Sequence, residues 1–338
     1  MTTRRIATIT GLAAAVALTA TGCVGTEAPG VTPGGGGGDS DARTLRLAHV
    51  YDPSHPVESC GVPAIQESLE GSGLAVSSFP AAQLGSEAEL LEQVASGSLE
   101  IAVAGPSFLG VWEPDAALFD APYLFEDVDH FEETLNGDIA EGIWGSLRDS
   151  SGLDVLSSWY YGTRHVTSNT EVTDSSDLRG GKLRAADAPL YLTMAEIMGG
   201  TATPMALDEV YLALQQGTID AQENPIPTIA SQKFFEVQDY INLTGHMIQG
   251  VMTVSSENLL NGLSDDEATA LRSAMTDASV AVRECIEDQE ASFIEEWNES
   301  GAITVNDDVD RDHFIDRAAE LVPDRFPWGD LYLEIQDR

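Results

Sequence analysis

Short apolar segments alternate with longer amphipathic ones from about residue 44 onward. Leu45, Leu47 and Val50 predict a short strand, and the apolar residues within 74–79 and 98–104 predict two more. The amphipathic segments between these strands predict helices. Strand, helix and strand in this order, with short connections, are typical of an α/β fold whose strands run parallel.

The helix before the third strand carries signals at both of its ends. Ser86 is placed as an N-cap with Glu89 at the capping-box position, and Gly97 is a typical C-terminal residue. A shift of 120 positions aligns Glu89 with Glu209 and Gly97 with Gly217. The same helix, glycine and strand pattern therefore occurs twice, which predicts two similar lobes. A ligand cleft is expected between them, beyond the carboxyl ends of the strands.

A much longer helix is predicted in the last third of the chain. Ser264 is its N-cap with Glu267 at the capping-box position, and neither proline nor glycine follows before Gly301. Residues 265–299 would form a continuous helix roughly 50 Å long at about 1.5 Å per residue. This length exceeds the diameter of one lobe, so we expect the helix to run across both.

The composition is strongly acidic. The 338 residues include 56 acidic and 16 basic side chains, for a formal net charge of −40. This charge argues against binding to nucleic acid or to anionic lipid surfaces, because both require clustered lysine and arginine. Only Lys182 and Lys233 are lysines, a composition that fits either solubility at high ionic strength or an acidic secreted protein from a GC-rich genome.

The amino terminus is typical of an exported lipoprotein. Two adjacent arginines precede an apolar run over residues 6–20, and the sequence Ala-Thr-Gly-Cys at 20–23 resembles a bacterial lipobox. We therefore expect residues 1–22 to be removed as a signal peptide and Cys23 to be lipidated. Residues 23–43 are rich in glycine and proline and predict a flexible tether with a reach of roughly 25 Å. The protein would then be held at the outer face of the cytoplasmic membrane.

Two further cysteines, Cys60 and Cys285, remain after Cys23. Outside the cytoplasm, in an oxidising compartment, a disulfide between them is one interpretation. Two buried free thiols are the other, and both interpretations stay open at this point.

Motifs of catalysis and of cofactor binding are absent from the sequence. No Gly-Lys-Ser/Thr phosphate loop occurs, and the six histidines lack the spacing of metal ligands. We therefore expect a protein that is not an enzyme and that binds neither a metal nor a cofactor.

Two arginines are informative because basic residues are so scarce. Arg164 follows the aromatic segment 159–161, and Arg184 follows residues 180–183 at a second apolar strand. A guanidinium in such a place needs a partner, and its planar fork matches a carboxylate. The partner would be either the carboxylate of a ligand or one of the many acids of the protein itself.

Several motifs occur in the order found in one family of bacterial transport receptors. They are Leu45–His49, His55-Pro56, Phe79-Pro80, Gln83–Gly85, Pro122–Phe125, Gly162–Arg164, Asp177–Gly180, Lys182–Arg184 and Gln222–Pro225. From about Leu45 to Phe326, the sequence resembles the DctP-type solute-binding subunit of TRAP transporters. The resemblance implies an α/β fold of two lobes, like that of periplasmic binding proteins, with a ligand cleft between the lobes and a long helix spanning both.

The expected domain order follows from this resemblance. Lobe I would comprise residues 44–161 and lobe II residues 162–249. Residues 250–289 would return to lobe I through the long helix, and residues 290–338 would pack on lobe II.

The resemblance also implies a set of ligand contacts. Arg184 corresponds to the arginine that pairs with the ligand carboxylate, and Arg164 corresponds to a second arginine that often binds the same acid. Asn224 corresponds to a contact from the other lobe, and Glu223 beside it is assigned to the same site. The receptor would act as a monomer and would deliver its ligand to the membrane subunits of a TRAP permease.

Departures from the family pattern bear on the identity of the ligand. Leu207 stands where many members carry phenylalanine, and Asp187 stands where asparagine is frequent. Tyr160 is also placed in the cleft, although an aromatic strand is more often part of a core. We expect a small organic acid, either a C4-dicarboxylate or a sugar acid. A receptor for a zwitterionic solute and a sensory module with the same fold are the alternatives.

Overall fold

Nine β-strands and twelve α-helices lie in the part of the chain that the computed structural model describes, residues 42–337. The strands are β1 (Arg43–Ala48), β2 (Leu74–Phe79), β3 (Ile101–Ala104), β4 (Leu153–Ser168), β5 (Lys182–Ala185), β6 (Thr201–Pro204), β7 (Ala221–Pro225), β8 (Tyr240–Ser256) and β9 (Thr304–Asn306). The helices are α1 (Val62–Ser68), α2 (Glu87–Ala95), α3 (Pro106–Leu109), α4 (Val128–Leu135), α5 (Asp138–Ser151), α6 (Pro189–Ile197), α7 (Val210–Gln215), α8 (Ile226–Ser231), α9 (Glu257–Leu260), α10 (Asp265–Ser300), α11 (Arg311–Arg325) and α12 (Gly329–Gln336).

One mixed sheet contains all nine of these strands, in the order β2-β1-β3-β8-β4-β7-β5-β6, with β9 paired to β8. β1 pairs in parallel with β2 and β3, and β5 pairs in parallel with β6 and β7. These two parallel groups form the centres of lobe I and lobe II, respectively. The antiparallel pair of β4 and β8 lies between them, so the sheet continues from one lobe into the other. The predicted two-lobed α/β fold is confirmed.

The repeat expected from the sequence is present in the structure. The capping box of Ser86 and Glu89 begins α2, and the chain leaves this helix through Gly97, whose φ is +75°. In lobe II, α7 is followed by Gly217 with a φ of +65°. β3 and β7 follow these glycines, and each pairs with the central parallel strand of its lobe. Each lobe therefore contains the same helix, glycine and strand unit in the same place.

The long helix α10 is uninterrupted over 36 residues, about 54 Å at 1.5 Å per residue. The capping box of Ser264 and Glu267 begins it, and Gly301 with a φ of +66° ends it. The helix packs against α1 of lobe I and against β4, and further along against α8 of lobe II and β9. The prediction that this helix crosses both lobes is confirmed.

β4 changes its register where it passes from lobe I into lobe II. The pairing with β8 shifts between Tyr160 and Gly162. Gly162 has a φ of +126°, and a Cβ atom there would lie 2.6 Å from the Cβ of Pro225. The following amide, that of Thr163, donates a hydrogen bond to Glu290 on α10 at 2.8 Å. The long helix therefore holds β4 at its crossing point, where only glycine fits.

A disulfide joins Cys60 to Cys285. Cys60 lies in a π-helical turn (Val57–Gly61) that leads into α1, and Cys285 lies on α10, 225 residues later. The sequence left open a disulfide or two free thiols at these positions, and the structure contains the disulfide. It attaches the long helix covalently to lobe I, and a crosslink over so long a segment stabilises mainly by restricting the unfolded chain.

The C-terminal helices contact more than lobe II, on which we expected them to pack. Arg317 of α11 does donate a hydrogen bond, 2.7 Å long, to the carboxyl end of α6 in lobe II. On α12, however, Tyr332 and Gln336 donate to the carbonyl oxygens of Pro122 and Tyr123. The turn between α3 and α4, which the sequence placed in lobe I, therefore reaches across to the C-terminal helices.

The predicted signal peptide, the lipidation site Cys23 and the tether up to residue 41 lie outside the described residues. The first strand begins at Arg43, the last residue of the predicted tether. None of the helices between residues 42 and 337 is both long enough and apolar enough to cross a bilayer.

Replacing Gly162 by alanine tests the constraint at the crossing of β4. We expect Gly162→Ala to lower the free energy of unfolding by about 1–3 kcal/mol through backbone strain, with a further loss from overlap with Pro225. Urea denaturation followed by circular dichroism measures the change. Gly142→Ala on α5 is the control: no atom would contact the new Cβ, and alanine should stabilise the helix by about 0.5–1 kcal/mol. Equal effects of the two substitutions would contradict the proposed constraint.

Candidate functional site

A cleft lies between the lobes at the carboxyl ends of the parallel strands, where the sequence predicted a ligand site. Its inner chamber is lined by residues of both lobes and of the two long strands: Tyr51, Glu87, Phe108, Tyr161, Arg164, Arg184, Ala186, Tyr191, Leu207, Asn224 and Gln249. An outer chamber of about 340 Å³ adjoins it. The two chambers share Glu87, Phe108, Arg184, Ala186 and Leu207.

Arg164 is buried beside the inner chamber and forms an ion pair with Glu223. Its Nη2 donates to the Glu223 carboxylate at 2.8 Å and to the Glu223 carbonyl at 2.6 Å, while its Nη1 donates to Gln249 at 2.6 Å. The ring of Tyr191 lies 5.5 Å from the guanidinium carbon. Burial opposes the positive charge, yet Glu223 raises the pKa of Arg164 above its usual value. For this arginine, the partner is an acid of the protein itself.

Glu223 is held as a carboxylate by its neighbours. Burial opposes its ionisation, but the charge of Arg164 and a hydrogen bond from His246 (3.1 Å) lower the pKa of Glu223 to about 2. Burial lowers the pKa of His246 itself. Next along β7, the Asn224 amide nitrogen donates to Gln222 at 2.7 Å. The Asn224 oxygen accepts no hydrogen bond from the described side chains, and this residue lines the chamber.

Arg184 is in a different electrostatic position from Arg164. It is buried, and both its Nε (3.2 Å) and its Nη2 (2.9 Å) donate to the carbonyl oxygen of Met205. Within residues 42–337, no acid forms an ion pair with it, and its Nη1 has no hydrogen-bond partner. Burial lowers the pKa of Arg184 from its usual value. The cleft therefore contains one buried guanidinium that no acid among the described residues contacts, although Glu223 and Glu87 act on it from a greater distance.

Glu87 is a cleft residue that the sequence analysis missed. It lies in the first turn of α2, borders both chambers and accepts a hydrogen bond from the Gly105 amide at 3.0 Å. Burial raises the pKa of Glu87 to about 7, against the opposing influence of Arg184. An acidic residue in the first turn of a helix is ordinary, so the sequence offered no reason to single it out.

Asp187 and Leu207 lie where the family pattern suggested, but in different parts of the cleft. Asp187 is exposed on the wall of the outer chamber and does not pair with Arg184. Leu207 is buried and borders both chambers. Asp187 is therefore available to a ligand in the outer chamber, whereas Leu207 supplies an apolar surface at the passage between the chambers.

The placement of Tyr160 in the cleft needs correction. Its hydroxyl donates to Glu290 on α10 at 3.2 Å, and Tyr160 lines neither of the two chambers. The neighbouring Tyr161 lines the inner chamber instead, and its hydroxyl bonds Thr228 at 2.5 Å. The side chains of successive residues in a strand point to opposite faces of the sheet. An assignment that is wrong by one residue therefore places a side chain on the wrong face, as happened for Tyr160 in place of Tyr161. Trp159 is also fully buried, and its indole nitrogen donates to the carbonyl oxygen of Met275 on α10 at 2.8 Å.

Asp120 connects the lobes through side chains that the sequence analysis did not identify. It is fully buried and accepts hydrogen bonds from the backbone amide of Ser107 (3.0 Å), the side-chain amide of Gln249 (3.0 Å) and the hydroxyl of Tyr191 (3.2 Å). Asp120 precedes α4 on the lobe I side, whereas Tyr191 belongs to α6 of lobe II. No local pattern could have identified these residues, because they are isolated in the sequence and meet only in the fold.

The cleft offers no arrangement of metal ligands. Among the described residues, no group of three or more histidine, cysteine, aspartate or glutamate side chains is placed to hold a metal ion. The chemistry available in the cleft is therefore charge pairing, hydrogen bonding and apolar contact.

These features are typical of a ligand-binding protein with two lobes, whose cleft contains an arginine that forms no ion pair with the described residues. The family model described as "Bacterial extracellular solute-binding protein, family 7", the DctP family, matches residues 64–328. Since the match extends over most of the chain, the protein belongs to this family, as its motifs predicted.

Individual relatives agree with this family. The sialic acid-binding periplasmic protein SiaP of Vibrio cholerae is 34% identical over 223 residues, which cover 66% of this chain and 70% of that protein. The 2,3-diketo-L-gulonate-binding periplasmic protein YiaO of Escherichia coli is 33% identical over 263 residues, covering 78% and 79%, respectively.

Solved structures extend the likeness to the whole fold. A TRAP periplasmic solute binding protein of Actinobacillus succinogenes, with bound L-galactonate, is 30% identical and matches with a TM-score of 0.81. The match covers 87% of this chain and 98% of that structure. The protein is therefore a solute-binding protein of the TRAP type, and the relatives named here are binding proteins rather than enzymes.

Removing the charge of Glu223 should cost far more stability than removing that of an exposed acid. Glu223→Gln would leave the buried Arg164 without its counter-charge, so we expect the free energy of unfolding to fall by about 3–5 kcal/mol. Glu196→Gln is the matched control, because Glu196 pairs with Arg325 at the protein surface; we expect a change below about 1 kcal/mol. Urea unfolding at neutral pH measures both. A similarly small loss in both variants would show that the buried pair is not essential.

Proposed function

We propose that this protein is the receptor of a TRAP transporter for a small organic acid, and that Arg184 binds the carboxylate of that acid. One observation carries the proposal: Arg184 is a buried cation in the cleft with no acidic partner among the described residues. A guanidinium binds a carboxylate through two parallel hydrogen bonds, so it determines the orientation of the ligand as well as neutralising its charge. The ligands named for the three relatives above, sialic acid, 2,3-diketo-L-gulonate and L-galactonate, are all carboxylic acids.

We assign Arg164 mainly to shaping the inner chamber. It uses four of its five N–H groups on Glu223 and Gln249, which leaves one for a ligand. Asn224 would add its free amide oxygen as an acceptor for a ligand hydroxyl. Leu207 would pack against the carbon skeleton of the ligand.

Ligand binding would favour the closed arrangement of the two lobes. Arg184 belongs to lobe II, whereas Glu87 and Tyr51 line the same chamber from lobe I. A ligand that contacts both walls at once binds the closed state more tightly than the open one. The hydrogen bond between Asp120 and Tyr191 acts in the same direction. The closed receptor, acting as a monomer, would deliver the acid to the membrane subunits of the permease.

We further propose that the mature protein is anchored through a lipid on Cys23. The support is the signal sequence, the lipobox-like residues 20–23 and the glycine-rich segment that follows. In cells, Cys23→Ser should move the protein from the membrane fraction to the soluble extracytoplasmic fraction, measured by fractionation and immunoblotting. Asp316→Asn is the control, since this acid is exposed on α11 and takes no part in the disulfide. Retention of the Cys23 variant in the membrane would contradict the anchor.

The carboxylate contact is tested by substituting Arg184. We expect Arg184→Met to weaken binding of L-galactonate, or of whichever sugar acid binds best in a calorimetric screen, at least about 100-fold, because the carboxylate would lie in the cleft without a counter-charge. Lys182→Met is the control, since Lys182 is an exposed cation two residues earlier in β5. Unchanged affinity in the Arg184 variant would contradict the assignment.

A further inference from the structure

The number of uncompensated charges in the cleft limits the number of carboxylates that a ligand can carry. Two arginines border the inner chamber, Arg164 and Arg184. The charge of Arg164 is neutralised at contact distance by Glu223, so it attracts a second anion only weakly. Arg184 has no such partner among the described residues. The inner chamber therefore provides the counter-charge for one carboxylate.

The wall opposite this arginine is acidic. Glu87 borders both chambers, and among the described residues it has no cationic side chain in ion-pair contact. Its Oε1 accepts the Gly105 amide at 3.0 Å, and its second oxygen accepts no hydrogen bond from the described residues. When Glu87 is ionised, above its pKa of about 7, a ligand group that lies against it must be a hydrogen-bond donor, since a second acceptor would leave both groups unsatisfied.

The outer chamber continues the same pattern. Its ionisable lining residues are Glu87, Arg184, Asp187, Asp208 and Glu209, four acids and one base. Its volume of about 340 Å³ leaves room for the part of a ligand that lies beyond the carboxylate. A second carboxylate in this chamber would be placed among like charges, with Arg184 already occupied by the first.

We infer that the ligand of this receptor carries a single carboxylate, and that its far end carries hydrogen-bond donors and no second negative charge. This inference rests on the proposed function of Arg184 and makes it more specific. Of the two classes expected from the sequence, it retains the sugar acids and excludes the C4-dicarboxylates. The donors can be hydroxyl groups or an ammonium group, because both suit the Glu87 carboxylate.

The decisive comparison uses ligands that differ only at the far end. L-Galactonate and galactarate share a six-carbon hydroxylated skeleton, and galactarate has a carboxylate in place of the terminal hydroxymethyl group. The four-carbon set of 4-hydroxybutyrate, 4-aminobutyrate and succinate varies the same position among hydroxyl, ammonium and carboxylate. Binding of each compound to the intact exported protein is measured by isothermal titration calorimetry.

High salt separates the local effect from the overall charge of the protein. A net charge of −40 disfavours any dianion at low ionic strength, whatever the cleft contains. At about 1 M salt, the screening length falls to about 3 Å, and only groups in contact with the ligand still discriminate. We expect the best monocarboxylate to bind at least about 30-fold more tightly than its dicarboxylate counterpart under these conditions.

Variants of the acidic lining residues test which of them disfavour a second carboxylate on the ligand. Glu87→Gln and Asp187→Asn should each reduce the preference for the monocarboxylate several-fold, whereas Asp316→Asn, an exposed acid on α11, should leave it unchanged. Glu87→Gln also distinguishes the two kinds of donor. It should weaken 4-aminobutyrate more than 4-hydroxybutyrate, because only the ammonium group needs the negative charge of residue 87.

The possible outcomes separate this inference from the proposed function. If a dicarboxylate binds as tightly as its monocarboxylate counterpart and Arg184→Met abolishes both, the receptor function stands and the single-carboxylate inference is overturned. If no acid of either kind binds, the carboxylate site at Arg184 is overturned, and the inference is overturned with it. A salt-resistant preference for monocarboxylates that diminishes in Glu87→Gln supports both.

Discussion

The pairing of β4 with β8 is the interaction on which the rest of the structure depends. The two strands run antiparallel through both lobes and place Tyr161, Arg164 and Gln249 in the cleft. Because backbone hydrogen bonds join the strands over nearly their full length, the side chains between the lobes belong to a continuous sheet rather than to loops. The positive φ of Gly162 and the contact with Glu290 of α10 accompany the middle one of three register shifts in this pair. The geometry of the candidate site therefore depends on Gly162 and Glu290, neither of which lines the two chambers.

Electrostatics assigns different roles to the two arginines that the sequence places at apolar strands. Both are buried, and both lie on strands that face the cleft. Arg164 has Glu223 within hydrogen-bond distance, and it therefore contributes mainly to the architecture of the chamber. Within residues 42–337, the guanidinium of Arg184 donates hydrogen bonds only to the carbonyl oxygen of Met205. The chain has 56 acidic residues, yet none of those described forms an ion pair with the buried Arg184. This arginine, unlike Arg164, suits a site that binds an anion.

Most of the fold could be predicted from local signals, because the ends of helices and the positions of strands depend on residues that are close in the sequence. The capping boxes at Ser86 and Ser264 and the glycines that end α2 and α10 are examples. The site was predictable only where a residue belongs to a motif, as Arg184 and Asn224 do. Tyr160 was misplaced because the bulge at Gly162 hides which face of β4 a residue occupies. Glu87, Asp120 and Tyr191 were missed because long-range packing alone brings them together.

The same charge that makes Arg184 suitable for a ligand also weakens the protein without one. Burial disfavours its protonated form, as the lowered pKa of Arg184 indicates, and the charges of Glu223 and Glu87 and the hydrogen bonds to the Met205 carbonyl compensate this only in part. A carboxylate bound in the cleft removes that unfavourable burial, so its affinity includes the relief of a cost already present in the folded chain. Since residues of both lobes line the inner chamber, a carboxylate bound there as proposed would provide this gain only when the lobes are together. Under the proposed assignment, the same arginine would both recognise the anion and favour the closed arrangement of the lobes.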